Sequence, residues 1–172
     1  MSKSGRPAAG EFADYAQADI DYVDGDDAVA ALARQQRETT LLFAKAGDVP
    51  AYAPGKWTLK EVLGHLVDDE RIFLYRALCV ARGDTSPLPG FDENEYVAGA
   101  GFEARSVQSL LDEYRVVRES AIAFFDSLTE EQWMRRGIVN GYEASVRGLA
   151  FHIAGHELHH LRTVRERYLA KK

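Results

Sequence analysis

Four of the five histidines in this chain, His152, His156, His159 and His160, fall within nine residues, and the fifth, His65, stands far upstream. Such spacing has a structural meaning in a helix, where side chains four apart share a face, offset by about 40° and ~6 Å along the axis. His152, His156 and His160 then form a stripe, with His159 close beside it. The helix is not polar around them: Leu149, Phe151, Ile153, Leu158, Leu161 and Val164 surround the cluster, so part of the stripe faces a packed interior. Imidazoles buried without partners cost about a few kcal/mol each. Two imidazoles at this spacing can grip one transition metal, which satisfies them. A third ligand must come from elsewhere, and His65 is the one histidine left to supply it.

Within the cluster, His156 and His160 are the first choice, because Gly155 allows close approach beside them and they sit mid-helix. His152, one turn upstream, can replace or supplement either. His159, about 60° around from His156, reads as an outer-sphere group, an acid/base or an exposed residue. Glu157 points ~100° away from the favoured ligands, so the pattern is not the metalloprotease arrangement of two histidines flanking a glutamate base. Asp69, four residues after His65, shares its face and can be an outer-sphere acceptor, a fourth ligand or a general base. Glu70 is the other candidate base, though it and Asp68 are less well aimed. The plainer reading of Asp68-Asp69-Glu70 is a solvated face with Arg71 nearby. Three neutral imidazoles leave a divalent ion its full charge and an open position, as catalytic rather than structural sites do.

Other features set the frame. At 172 residues the chain is long enough for one domain with a real core. A net charge of −6 argues against a nucleic-acid partner, which needs a basic surface. The single cysteine, Cys79, rules out an internal disulfide, fits a reducing compartment and reads as a small core residue. No segment resembles a signal peptide or a membrane span, so a cytoplasmic protein is expected.

Helical periodicity dominates. Residues 1–19 read as a loose arm and 20–172 as a single domain. Helices are expected from about Asp26 (capped by Asp26 or Asp24) to Ala46, with Val29, Leu32, Ala33, Leu41 and Leu42 recurring at helical period. The next runs from Thr58 to Ala81, with Leu63, Leu66, Val67, Phe73, Leu74 and Leu78 inward. Others run from Ser106 to Leu128 and from Ser145 to Leu169. Thr58 with Glu61, and Thr129 with Gln132, form capping boxes. Short helices are expected near Asp92 to Ala98 and after Thr129, and Gly137 to Gly141 breaks the chain. Four long helices with almost no strand signal predict an all-α four-helix bundle with long connections, in which simple up-down-up-down topology is not assured. Trp57, Tyr75, Phe91, Tyr96, Trp133 and Tyr142 read mainly as core. Phe91 and Tyr96 lie where a lid can form.

Gly55-Lys56-Trp57-Thr58 leading to Gly64-His65-Leu66-Val67-Asp68-Asp69-Glu70-Arg71 resembles the DinB superfamily. Pro87-Leu88-Pro89-Gly90-Phe91-Asp92 and Gly155-His156-Glu157-Leu158-His159-His160-Leu161 reinforce the likeness, which spans roughly residues 20–169. The resemblance implies a four-helix bundle with a divalent metal on His65, His156 and His160, and zinc, nickel and iron all suit such ligands. It implies common dimers and, in some relatives, transfer of a low-molecular-weight thiol such as bacillithiol or mycothiol. The expected function is a metal-dependent enzyme activating a thiol or water for transfer to a small molecule, with thiol transfer slightly favoured over hydrolysis. The rival is a non-catalytic metal-binding or stress-response protein. It predicts a site closed by a fourth protein ligand, such as His152 or Asp69, with no adjacent pocket. In a third reading the histidines bind no metal and form a hydrogen-bonded cluster.

Overall fold

A computed structural model of the protein describes residues 4–170. A 3₁₀ turn (Asp14–Ala16) leads into α1 (Gln17–Ile20), followed by α2 (Ala28–Ala46), α3 (Leu59–Ala81), α4 (Glu93–Ala100) and α5 (Val107–Asp126). After α6 (Glu130–Met134), strands β1 (Arg136–Val139) and β2 (Tyr142–Ser145) precede α7 (Val146–Thr163), which ends in a π turn (Val164–Tyr168).

The helix starts follow the expected side-chain chemistry, since the first N–H groups of a helix need an outside acceptor. Both capping boxes form, at Thr58 with Glu61 and at Thr129 with Gln132. Ser106 and Ser145 cap α5 and α7. The cap of α2 is Asp27, whose carboxylate accepts from the Ala30 N–H at 3.0 Å, rather than Asp24 or Asp26.

The bundle consists of α2, α3, α5 and α7. Helices α2 and α3 each pack against both α5 and α7, so α2 and α3 face each other across the bundle. Its interior has two apolar halves. One includes Leu32, Phe73, Ala121, Phe125, Trp133 and Ala154, and the other Phe43, Leu63, Val67, Leu110, Val117 and Leu161. Along α2 and α7 the chain passes from the first half to the second, and along α3 and α5 from the second to the first. Hence α2 and α7 run one way and α3 and α5 the other, which is not the up-down-up-down order.

A polar layer separates the halves. Arg118 of α5, fully buried, donates to both oxygens of Glu70 on α3, at 2.7 and 2.9 Å, and to the Leu32 carbonyl of α2 at 3.0 Å. It also pairs with Glu157 of α7, which accepts from Tyr114 (2.7 Å) and from Thr39 of α2. Each bundle helix contributes a group to this one layer.

The structure corrects several expectations. The segment expected as a loose arm packs on α7 over the part described; residues 1–3 lie outside it. Phe12, Ala16 and Ile20 are buried, and Glu11 binds Arg147 (2.5 Å) and Ser145 (2.8 Å). Glycines make this possible: a Cβ at Gly148 would lie 2.0 Å from the Glu11 carbonyl oxygen, and one at Gly155 2.5 Å from that of Asp19. The expected break at Gly137–Gly141 is a two-stranded antiparallel hairpin, turning on Asn140-Gly141 with positive φ at both (52° and 80°), as a tight primed turn requires. Leu41 and Leu78 face solvent instead of the core, as do Tyr75, Tyr96 and Tyr142, while Trp133 is buried. Asp69 and Glu70, read as part of a solvated face, are both interior. Among the described residues no helix is long and apolar enough to cross a membrane.

Removing one member of a buried ion network strands the others in a medium that cannot solvate them. Arg118→Met is therefore expected to cost about 3–5 kcal/mol, read from urea denaturation. An unchanged midpoint would refute the stabilising role given to the layer.

Candidate metal centre

Helices α3 and α7 pack side by side in opposite directions, bringing His65 to His156 and His160. The Nε2 atom of His156 lies 3.1 Å from that of His65 and 3.1 Å from that of His160. One ligand atom from each of the three lies within 4.8 Å of the others. Zinc–imidazole bonds of about 2.0–2.1 Å would place two nitrogens on one ion roughly 3.3 Å apart in tetrahedral geometry. The cluster therefore fits a single divalent ion.

Burial sets the protonation of these rings. It pushes the His65 pKa down to about 4. His160 falls to about 3 and His156 well below the ordinary range, by burial first and then by repulsion among the imidazoles. At neutral pH all three are uncharged, so their lone pairs are available. The indole of Trp57 packs against His65 and lies nearly parallel to His160, with centroids 4.8 and 6.3 Å away.

Asp69 reaches the far side of the cluster, its carboxyl 3.2 Å from His156 Nδ1. A carboxylate at that position can accept from a proton on Nδ1 and leave the Nε2 lone pair free for a metal, the usual outer-sphere arrangement of a metal-ligating histidine. Burial raises the Asp69 pKa to about 8, against the opposing charge of Arg76. Glu70, one position on and turned ~100°, enters the polar layer instead. Both its oxygens are held by Arg118, which disposes of Glu70 as a free base at this site. His152 stands apart from the cluster, its ring stacked on Phe73 at 3.9 Å. His159 turns outward and pairs with Asp19 at 3.1 Å.

Two cavities of ≈ 330 Å³ each adjoin the cluster. One is bounded by Tyr15, Asp69, Phe73, Arg76, Phe91 and His152, among others, and the second by Tyr52, Lys56, Trp57 and Tyr168; Glu93, His159 and His160 border both.

The model of the DinB superfamily matches residues 48–164. The chain belongs to the DinB superfamily. No curated protein matches its sequence. Among solved structures, it is similar to YfiT from Bacillus subtilis, described as "a probable metal-dependent hydrolase with an unusual four-helix bundle topology". The TM-score is 0.69 over 96% of this chain and 95% of that one, at 14% identity. At that identity the likeness establishes the fold.

Among the cavity residues of this DinB-superfamily protein that escaped the sequence reading are Glu93 and Arg76. Glu93 begins α4, and its carboxylate lies 3.8 Å from His65 Nε2. Its helix is held by the following turn, where the Phe102 ring lies where a Cβ on Gly64 would be, 2.5 Å away. Arg76 lines the cavity that also holds Phe73 and His152, on the same helix as His65 but three turns on. A short acidic helix and a lone arginine carry no signal until the fold brings them to the histidines. Phe91 and Tyr96, watched as a lid, pack on each other at 5.0 Å, with Phe91 in the cavity wall.

Since the histidines are already neutral at pH 7, ion uptake should release its proton mainly from Asp69. Titration in buffers of different ionisation enthalpy is expected to show about one proton released per ion. Asp69→Asn should abolish that release and weaken affinity about 10–100-fold. In the metal-free protein the lowered imidazole pKa values give the linkage opposite to that of a histidine held protonated in a salt bridge. Their contribution to stability is complete above the unfolded value of about 6.5. It is lost as pH falls toward 4 and then 3, where the folded rings titrate. Urea midpoints of metal-free protein should fall between pH 7 and pH 5, and a flat profile would contradict the assignment.

Proposed function

We propose that this protein is a metal-dependent enzyme in which His65, His156 and His160 hold one divalent ion, zinc, nickel or iron. It activates a thiol or water for transfer to a small molecule. The observation that carries this reading is the convergence of three neutral Nε2 atoms beside an open cavity. The ion would act as a Lewis acid, lowering the pKa of a thiol or water at its open position toward neutrality. Asp69 fixes the tautomer and orientation of His156. Glu93, at the open side, is placed to take a proton from the nucleophile, and Trp57 shields the cluster from bulk water.

Transfer of a low-molecular-weight thiol is favoured because two cavities meet at His160 and Glu93, giving room for donor and acceptor on either side. Hydrolysis is the second reading, supported by the carboxylate of Glu93 near the cluster and by the description of YfiT. A non-catalytic metal store would want a fourth protein ligand. His152 is committed to Phe73 and Asp69 to His156 Nδ1, so neither closes the sphere.

Plasma mass spectrometry of the purified, untagged protein should find about one transition-metal ion per chain, and almost none in a His65→Ala, His156→Ala double variant. Metal in neither, even after zinc or nickel is added, would end the enzyme reading. Turnover of a thiol conjugate without hydrolysis of model esters separates transfer from hydrolysis. Glu93→Gln should lower either activity about 10²-fold or more at unchanged metal content.

A further inference from the structure

We propose that the cavity bounded by Phe73, Phe91 and His152 recognises a carboxylate, and that Arg76 is the residue that binds it. The small-molecule substrate would thus be an organic acid. The inference deepens the enzymatic reading, on which it rests for the word substrate alone.

Arg76 is an anomaly within this fold. It is 4% exposed, yet it lines a cavity. Of its five N–H donors, one is used among the described residues, in a 2.6 Å bond to the Pro89 carbonyl. No described carboxylate lies within 4.0 Å of it, whereas the other deeply buried arginine, Arg118, is held by two. Charged side chains are seldom buried without a partner; Asp69 feels the Arg76 charge but makes no ion pair with it, and the acids around this cavity are in closer contact with histidines. Asp69 contacts His156, Asp19 contacts His159, and Glu93 lies beside His65.

The setting also selects the shape of the missing partner. The guanidinium carbon sits over the Phe73 ring at 4.6 Å and the Phe91 ring at 5.6 Å from their centroids. Rings so placed hold the planar fork in one orientation, and a planar carboxylate matches that fork with two parallel hydrogen bonds. A single arginine between apolar rings suits one negative charge better than a phosphate dianion. Phe73 in turn stacks on His152, whose ring is parallel to that of His156 at 5.8 Å. The carboxylate site and the three-histidine cluster are therefore two ends of one cavity wall. A molecule anchored at Arg76 within this cavity has room to extend along that wall to the histidines.

The test uses full-length protein of measured metal content, titrated with phenylacetate and with its neutral isostere phenylacetamide. Phenylacetate should bind about 10–100-fold more tightly than the amide, as expected for a charge-assisted paired contact. It should also shift the Arg76 Nε–H resonance in NMR spectra, which the amide should leave in place. Arg76→Met should remove the preference for the acid, and Arg76→Lys should retain part of it, both at unchanged metal content. Equal binding of acid and amide, no binding of either, an unmoved Arg76 resonance, or full acid binding by Arg76→Met would each overturn the proposal. Acid selectivity dependent on Arg76 in a protein found to lack metal would sustain the carboxylate site while refuting the metal reading.

Discussion

The buried contact of Arg118 with Glu70 and Glu157 is the constraint on which the other parts of this structure depend. Apolar side chains can slide past one another at small cost, so greasy interfaces alone leave helix register loosely determined. A guanidinium that must meet two carboxylates and a carbonyl, while a tyrosine and a threonine complete the second carboxylate, permits far fewer arrangements. Because α2, α3, α5 and α7 all contribute to it, the layer sets their relative heights together. Glu70 adjoins Asp69 and Glu157 adjoins His156 in the chain. The layer that registers the bundle therefore also registers the histidine cluster on its flank.

That coupling explains how two helices can hold three imidazole nitrogens within 4.8 Å of one another, with His156 Nε2 at 3.1 Å from each of the other two. Two ring nitrogens at that distance repel unless one of them carries a proton or both face a cation. The arrangement is held by the packing of α3 against α7, by Trp57 on one side and by the Asp69 contact on His156. Such a site is preorganised: the free energy of assembling it belongs to folding, and a cation gains the full benefit of ligands already in place.

The parts legible in the sequence were those encoded by short spacing. Thr58 with Glu61 and Thr129 with Gln132 announce helix starts because their partners are three residues away. His156 and His160 announce a shared face because they are four apart. The polar layer was illegible, since nothing local distinguishes Arg118 from a surface arginine, and its partners lie on other helices. Glu70 shows the same limit at finer grain: beside Asp69 in the chain, it faces another environment after one residue of helical rotation. The hairpin did have a signal, Asn140-Gly141 between short apolar runs, which the dominant helical pattern obscured. The packing of residues 11–20 had a weaker one, in Gly148 and Gly155 seven apart on α7. The latter glycine makes room for the backbone of Asp19, not for an approach to the histidines.

The placement of that N-terminal segment has a consequence for how the cavity can diversify. Tyr15 and Asp19, which form part of its wall, lie outside the stretch matched by the superfamily model, residues 48–164. The three histidines and Asp69 lie inside it. The histidine cluster and part of the enclosure beside it thus come from different stretches of the chain. The leading segment shapes the chamber only while it keeps its seat against Gly148 and Gly155 of α7. Side chains such as Tyr15 that face the cavity from that segment can vary without touching the helices that bear the histidines.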